Sequence, residues 1–281
     1  MAVTLSELRD PLGRREWISK LTGGFAEPWT FGERARDWVL EHADDFDVVH
    51  DNQTLADGVL DIQHSGIPVV TTIHHPITRD RRVALVGEAR WWWRLLIRRW
   101  HRFLSMQARV AAELDHIVTV SRLSAVDIGT DFGAMPGAIS VVPNGVDTEL
   151  FKPLPEVSRR PRQIIATASA DAPLKGLAVL LRAFKRLVDA DPSSELVLIA
   201  RPKPGGDTEA LIERLGLRDR IRFVTDASHE QINQLYAESA VAVVPSLYEG
   251  FGLPAVEAMA AGIPLVSTDG GALAEVVGDG G

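Results

Sequence analysis

The stretch that most constrains this chain is Val243-Val-Pro-Ser-Leu-Tyr-Glu-Gly-Phe-Gly-Leu-Pro-Ala-Val-Glu257. The apolar run Ala240 to Val244 reads as a buried strand of a parallel sheet. It breaks at Pro245, passes through Gly250 and Gly252, and restarts as a helix with Pro254 suited to the first helical position. A strand, a glycine turn and a helix N-terminus in that order let the backbone approach a ligand and aim N–H groups at an anion. Two carboxylates flank the turn, Glu249 within it and Glu257 about one helical turn in, spaced to bracket a small polyhydroxyl ligand. A plain connection would use glycine for shape and glutamate for solubility. The coincidence of all these features in fifteen residues favours a ligand site.

Glu249-Gly-Phe-Gly-Leu-Pro-Ala-Val-Glu257, followed by Ala258-Met-Ala-Ala-Gly-Ile-Pro-Leu-Val266, resembles the paired-glutamate signature of retaining nucleotide-sugar glycosyltransferases of family 4. The resemblance implies the GT-B fold, two Rossmann-like α/β domains facing a cleft. It also implies that Glu249 contacts the donor sugar, that Glu257 contacts the ribose, and that N–H groups around Gly250, Phe251, Gly252 and Leu253 hold the diphosphate. A GT-B nucleotide-sugar epimerase and a non-catalytic nucleotide-sugar-binding fragment are the alternatives. No Gly-x-Gly-x-x-Gly turn follows a strand, which sets a nicotinamide dehydrogenase well behind.

The rest of the chain fits that frame. Short β-branched runs alternate with helical segments, Val69 to Ile73 being one such strand, and this alternation favours parallel sheets with covering helices. Residues 1–30 read as a short helix or irregular arm, and nothing before Asp47 reads as an opening strand. Asp45-Phe-Asp47 has the spacing of a metal-binding Asp pair but no partner cluster, so it reads as solvated loop charge. Val142-Pro-Asn-Gly-Val-Asp-Thr-Glu-Leu-Phe-Lys-Pro153 resembles the family's passage between domains. The expected division is an acceptor-side domain at 1–152, a Pro/Arg-rich linker at 153–162 and a donor-binding domain at 163–281. Ser228-His-Glu-Gln231 reads as a capping box. Against the resemblance both ends look short, so the expectation is a chain truncated at each end.

Two further positions gain meaning from the resemblance. His74-His75-Pro76 closes a strand, where open α/β sheets bind ligands, though a polar loop would look the same. The family places a histidine there facing the donor, and His74 matches it best. Lys175 opens a helix, where a cation could meet a diphosphate or simply lie on the surface. The family has a pyrophosphate-binding Lys-Gly there, and Lys175-Gly176 matches. The family arginine five residues earlier is Ala170 in this chain, and Arg201 or Lys203 is a candidate replacement for its charge. The catalytic set implied is therefore His74, Lys175 and Glu249, with no metal and no cofactor beyond the donor.

The net charge of −8 argues against nucleic-acid binding, but it hides a local reversal. Between Arg79 and Arg109 nine arginines face two acids, interleaved with Trp91-Trp-Trp93 and Trp100. This segment reads as one long helix to about Leu114. Its apolar stripe (Trp93, Leu96, Ile97, Trp100, Leu104) either packs on the sheet or meets an anionic membrane. Cysteine is absent and no apolar run approaches the ~20 residues of a membrane span, so the expected place is the cytoplasm or its membrane surface. The base, the sugar and the acceptor are not legible.

Overall fold

The computed structural model describes residues 10–168 and 171–281. The chain divides into two compact units after Pro143.

In the first unit Asp10 caps helix α1 (Pro11–Leu21) by accepting from the Leu12 and Gly13 N–H groups at 3.1 and 3.0 Å. Helix α2 (Glu27–Glu41), strand β1 (Val49–Asn52), α3 (Asp57–His64) and β2 (Val69–Thr72) follow. Next come α4 (Thr78–Gly87), α5 (Trp91–Trp100), α6 (Leu104–Glu113), β3 (Ile117–Thr119), α7 (Arg122–Phe132) and β4 (Ile139–Val141). The four strands pair in parallel in the order β1-β2-β3-β4. Ile62, Val69, Ile73, Val110, Ile117 and Ile128 fill the core between sheet and helices. The β-branched strand runs supply Val69, Ile73 and Ile117, the inner faces of α3, α6 and α7 supply the other three, and their removal from water is the main favourable term in folding.

The second unit alternates more regularly. Strand β5 (Arg160–Thr167), α8 (Leu177–Ala190), β6 (Glu195–Ile199), α9 (Asp207–Leu215) and β7 (Ile221–Val224) form one half. Helix α10 (His229–Glu238), β8 (Ser239–Val244), α11 (Leu253–Ala260), β9 (Leu265–Ser267) and α12 (Leu273–Val277) form the other. All pairs are parallel, in the order β7-β6-β5-β8-β9. Side chains alternate between two cores, as a strand's period of two requires: Ile165, Val197 and Val244 pack with Tyr236 and Ala258, while Ala166, Leu196 and Leu198 pack with Leu181 and Phe184. The order reverses between β5 and β8, which is where doubly wound sheets leave a crevice at their carboxyl ends. The capping box at Ser228 and Gln231 is present in both directions.

The compact units part after Pro143 because Phe151 is buried beside Tyr236 and Ala242, and Arg160 of the Pro/Arg-rich segment pairs with Ser239 at the start of β5. One expectation gives way. The basic segment is three helices, not one. After Gly87, the Glu88 carboxylate accepts from both the Arg90 N–H and its guanidinium at 2.8 Å, which fixes an extended turn before α5. A 3-10 turn at His101–Phe103 then redirects the chain into α6. The expected stripe does not lie on the sheet: Trp93 and Trp100 remain 41% and 45% exposed, and Leu104 alone is deeply buried.

Candidate functional site

The signature segment builds the carboxyl edge of the second unit through backbone contact. Gly176 ends the 3-10 turn Pro173–Lys175 at φ 63°, and a Cβ there would lie 1.8 Å from the Pro245 carbonyl oxygen. Only glycine allows α8 to start so close to the end of β8. Gly271 does the same on the other side, where a Cβ would lie 2.2 Å from the Glu249 carbonyl oxygen. The Leu247 N–H donates to the Leu174 carbonyl at 2.7 Å, and the Ala272 N–H donates to the Glu249 carbonyl at 2.8 Å. The turn that carries Glu249 is thus clamped between two neighbouring loops.

The clamp brings Lys175 and Glu249 together. The Lys175 ammonium donates to Glu249 Oε1 at 2.8 Å, and the Ser246 hydroxyl donates to the same oxygen at 2.7 Å. The Glu249 side chain is only 12% exposed, against 34% for Lys175. Both line a cavity of about 400 Å³ with Thr167, Ala168, Ala200, Arg201 and Pro254, at the carboxyl ends of β5 and β6. Gly252, at φ 102°, opens α11, and the first N–H groups of a helix have no acceptor within it. Gly250 and Gly252 are buried and Phe251 half-buried, while Leu253 is exposed. Among the described residues no group of three His, Asp or Glu is placed to hold a metal ion.

Glu257 lies on α11, half-buried. Burial pushes its carboxyl above the ordinary range, opposed by His229. Burial also raises the Tyr236 phenol, with the Glu257 charge adding to the effect. The Tyr236 hydroxyl donates to the Pro254 carbonyl at 3.4 Å, tying α10 to the first turn of α11. Of the two candidate cations, Arg201 lines the cavity and pairs with Asp226. Lys203 is not among the lining residues, and its backbone N–H donates to Asp171 at 2.8 Å. Ala170 lies outside the described residues.

His74 belongs to the first unit, at the end of β2. Its N–H donates to the Gln53 side-chain oxygen at 2.8 Å, and Gln53 Nε2 donates to the His75 carbonyl at 2.8 Å. Its ring Nε2 lies 2.9 Å from Asn52 Oδ1; donation to that oxygen leaves Nδ1 with its lone pair. Burial, and then His75, lower its pKa, so the neutral ring is favoured. Asp45 and Asp47 are exposed, as solvated charge should be. Ser246, Tyr236, Asn52 and Gln53 were not singled out by sequence. Ser246 sits inside the quoted signature; Gln53 carries no sequence signal.

The pattern of the family described as Glycosyltransferase Family 4 matches residues 7–150, and that described as Glycosyl transferases group 1 matches residues 152–281. The chain belongs to glycosyltransferase family 4. Among its family 4 relatives, the MMP alpha-(1->4)-mannosyltransferase of Mycolicibacterium hassiacum is 50% identical over 274 residues, which is 97% of this chain and 66% of the relative. The D-inositol 3-phosphate glycosyltransferase of Acidothermus cellulolyticus is 30% identical, covering 84% of this chain and 55% of the relative. The chain therefore spans a little over half to about two-thirds of the length of these relatives. The sucrose-phosphate synthase of Thermosynechococcus elongatus matches in structure with a TM-score of 0.66 at 22% identity, covering 87% of this chain and 61% of that one. Anabaena HepE, solved with UDP and glucose, matches with a TM-score of 0.62 at 21% identity over 85% of this chain and 64% of that one. These likenesses, with a parallel α/β sheet in each unit, make the fold GT-B.

Proposed function

We propose that the chain carries the donor chemistry of a retaining glycosyltransferase, moving a hexosyl group from a nucleotide-diphosphate sugar to an acceptor hydroxyl. The observation that carries this reading is the Lys175–Glu249 pair in the cavity at the switch point of the second unit. The likeness to a mannosyltransferase supports mannose as the sugar. That relative's product is α-linked, and an α-linked product from an α-linked donor is retention.

Each residue has a physical task. As the bond to the anomeric carbon breaks, charge develops on the leaving diphosphate. Lys175 and the first N–H groups of α11, from Gly252 and Leu253, are preorganised to meet it, with Arg201 at the cavity wall. Without ligand Lys175 is held by Glu249; a diphosphate gives it a partner of higher charge. Glu249 then accepts from sugar hydroxyls, its orientation kept by Ser246. Glu257 is a desolvated carboxylate short of donors, a shortage that ribose hydroxyls would end. His74, neutral and anchored through Asn52 and Gln53, lines the reacting face. The charge is met by these groups, so the reaction is proposed to need no metal.

A second reading concerns where the chain works. No helix among the described residues is long and apolar enough to cross a membrane. Yet Trp91, Trp92 and Leu95 on α5 are 73%, 46% and 52% exposed beside Arg94, Arg98 and Arg99, the composition of a surface that meets anionic headgroups. Peripheral membrane attachment through 79–109 is therefore part of the proposal. Salt-sensitive pelleting with anionic vesicles is the expected result; no pelleting removes it.

The reaction is tested by incubating the chain with GDP-mannose and UDP-glucose plus a mannoside acceptor and reading the product by NMR. An α-linked product supports the proposal. A β-linked product ends the retaining reading, and an epimerised sugar formed without acceptor replaces transfer with epimerisation.

A further inference from the structure

A second cavity, of about 700 Å³, lies in the first unit between α1, the start of α2 and the junction of α5 with α6. Four arginines line it: Arg14 and Arg15 from α1, Arg99 and Arg102 from the α5–α6 junction. None takes part in the donor chemistry above. Acids of α1, its cap and α2 pair with other cations: Asp10 and Glu16 with Arg34 at 2.9 and 2.7 Å, and Glu27 through one oxygen with Lys20 at 3.0 Å. Among the described residues no carboxylate pairs with any of the four arginines, although Arg99 donates to the Thr22 hydroxyl at 2.9 Å. Four positive charges around one hollow repel one another unless an anion sits among them.

The floor of the hollow is aromatic and fixed. The Arg15 guanidinium carbon sits 3.4 Å from the centroid of the Trp29 ring, a cation–π contact that holds it over the aromatic floor. Phe25 stacks on Trp100 at 4.7 Å and meets Phe103 edge-on at 5.4 Å. The position is also set from within the fold. Gln107 on α6 donates to the Gln53 and Thr54 carbonyls at 3.3 and 3.2 Å, holding the start of α6 beside the loop that follows β1. Ser105 and Met106, which line the hollow, lie in the same first turn of α6.

We infer that this cavity is a binding site for a phosphate ester, the phosphate gripped by Arg14, Arg15, Arg99 and Arg102 and the organic body lying on Trp29 and Phe25. Phosphate fits better than carboxylate for two reasons. Its two negative charges answer more of the four positive ones, and its oxygens accept two-pronged donation from more than one guanidinium. The same chemistry is offered by a soluble phosphorylated metabolite and by a phospholipid headgroup. The inference does not depend on the donor site or on turnover.

The experiment is calorimetric titration of the whole chain with glycerol 3-phosphate, with glycerol as the neutral control, beside pelleting with vesicles of phosphatidylglycerol and phosphatidylcholine in equal parts. The main variant is R14Q/R102Q, both positions exposed, with its thermal midpoint checked against the parent. The lysine pair R14K/R102K is a second variant that keeps the charge and loses the fork. Saturable binding of glycerol 3-phosphate that salt weakens, absent for glycerol and roughly tenfold or more weaker in R14Q/R102Q, is expected for a soluble ester. Binding to vesicles alone that is lost in R14Q/R102Q but kept in R94Q/R98Q, a variant of α5 arginines outside the cavity, supports the site and assigns the phosphate to a lipid. Binding that is unchanged in both cavity variants, or no binding to either probe, overturns the inference.

Discussion

The carboxyl edges of the two sheets are built differently. In the second unit the edge is made by backbone pressed on backbone: Gly176 against Pro245, Gly271 against Glu249, with one half-buried ion pair between Lys175 and Glu249 in the space left. In the first unit the edge is made by side chains reaching across to backbone. Gln53, itself at φ 61°, holds both His74 and His75, and the Ser124 hydroxyl donates to the His74 carbonyl at 3.1 Å. Glycine contacts cannot be adjusted without moving the chain, whereas an amide bridge can be loosened one bond at a time. The first design suits a diphosphate that must meet fixed donors; the second suits a residue that sets the alignment of a ring.

The sharpest way to break the comparison is to add one methyl group to each unit. Gly176→Ala meets the Pro245 carbonyl and also bears a positive φ, so we expect a loss of about 3 kcal/mol or more in urea unfolding, with the cavity disrupted. Gly133→Ala in the first unit has a similar φ of 75° but space around it, with the nearest atom at 4.0 Å, and should cost about 1 kcal/mol. Equal losses would show that crowding at Gly176 is not what shapes the edge.

Next in size is Lys175→Met. Removal of a charge-assisted contact to the diphosphate should weaken nucleotide affinity roughly tenfold to a hundredfold by calorimetry, while the unliganded fold loses about 1 to 3 kcal/mol because Glu249 keeps Ser246 but loses the ammonium as donor. Gln53→Ala should cost about 1 to 2 kcal/mol, since it removes the bonds that Gln53 makes to the His74 N–H and the His75 carbonyl. In kinetics it should lower kcat and spare donor affinity, the opposite split from Lys175→Met.

The smallest effect is one of pH. The Glu257 pKa is raised in the folded state, so the folded chain keeps a proton that the unfolded chain has released. Its contribution to stability is full below the ordinary value of 4.5 and is lost as pH rises through the folded pKa. Glu257→Gln should therefore raise the thermal midpoint slightly near neutral pH, with the gain vanishing in acid, although nucleotide binding weakens. A variant less stable at neutral pH would mean that Glu257 already has donors in the unliganded fold.

The second unit was the more legible in the sequence because its strands are buried on both faces and its turns are marked by glycine, so the elements fall within a few residues of where alternation puts them. The Lys175–Glu249 neighbourhood followed from the family resemblance, but its cause did not. Nothing in a linear reading shows that residue 176 touches residue 245. The segment from Arg79 to Leu114 misled because its apolar spacing is helical throughout, whereas the break at Gly87–Arg90 depends on one carboxylate folding back on Arg90. Gln53 was invisible, since its bonds reach residues more than twenty positions away and its type carries no pattern. The arginine hollow was half visible: the basic run was plain, but α1 supplies two of its four arginines from a region that showed no sustained period.

The measurement closest to the central claim is calorimetric titration of the purified chain with GDP, UDP and ADP, beside Lys175→Met and Glu249→Gln. Saturable binding of one base, weakened roughly tenfold or more in Lys175→Met, is the predicted result. At about a hundred times the dissociation constant the same ligand should stabilise the fold by roughly 2.7 kcal/mol. No binding of any nucleoside diphosphate to the folded chain, or binding indifferent to Lys175, would contradict the assignment of the second unit's cavity as the donor site.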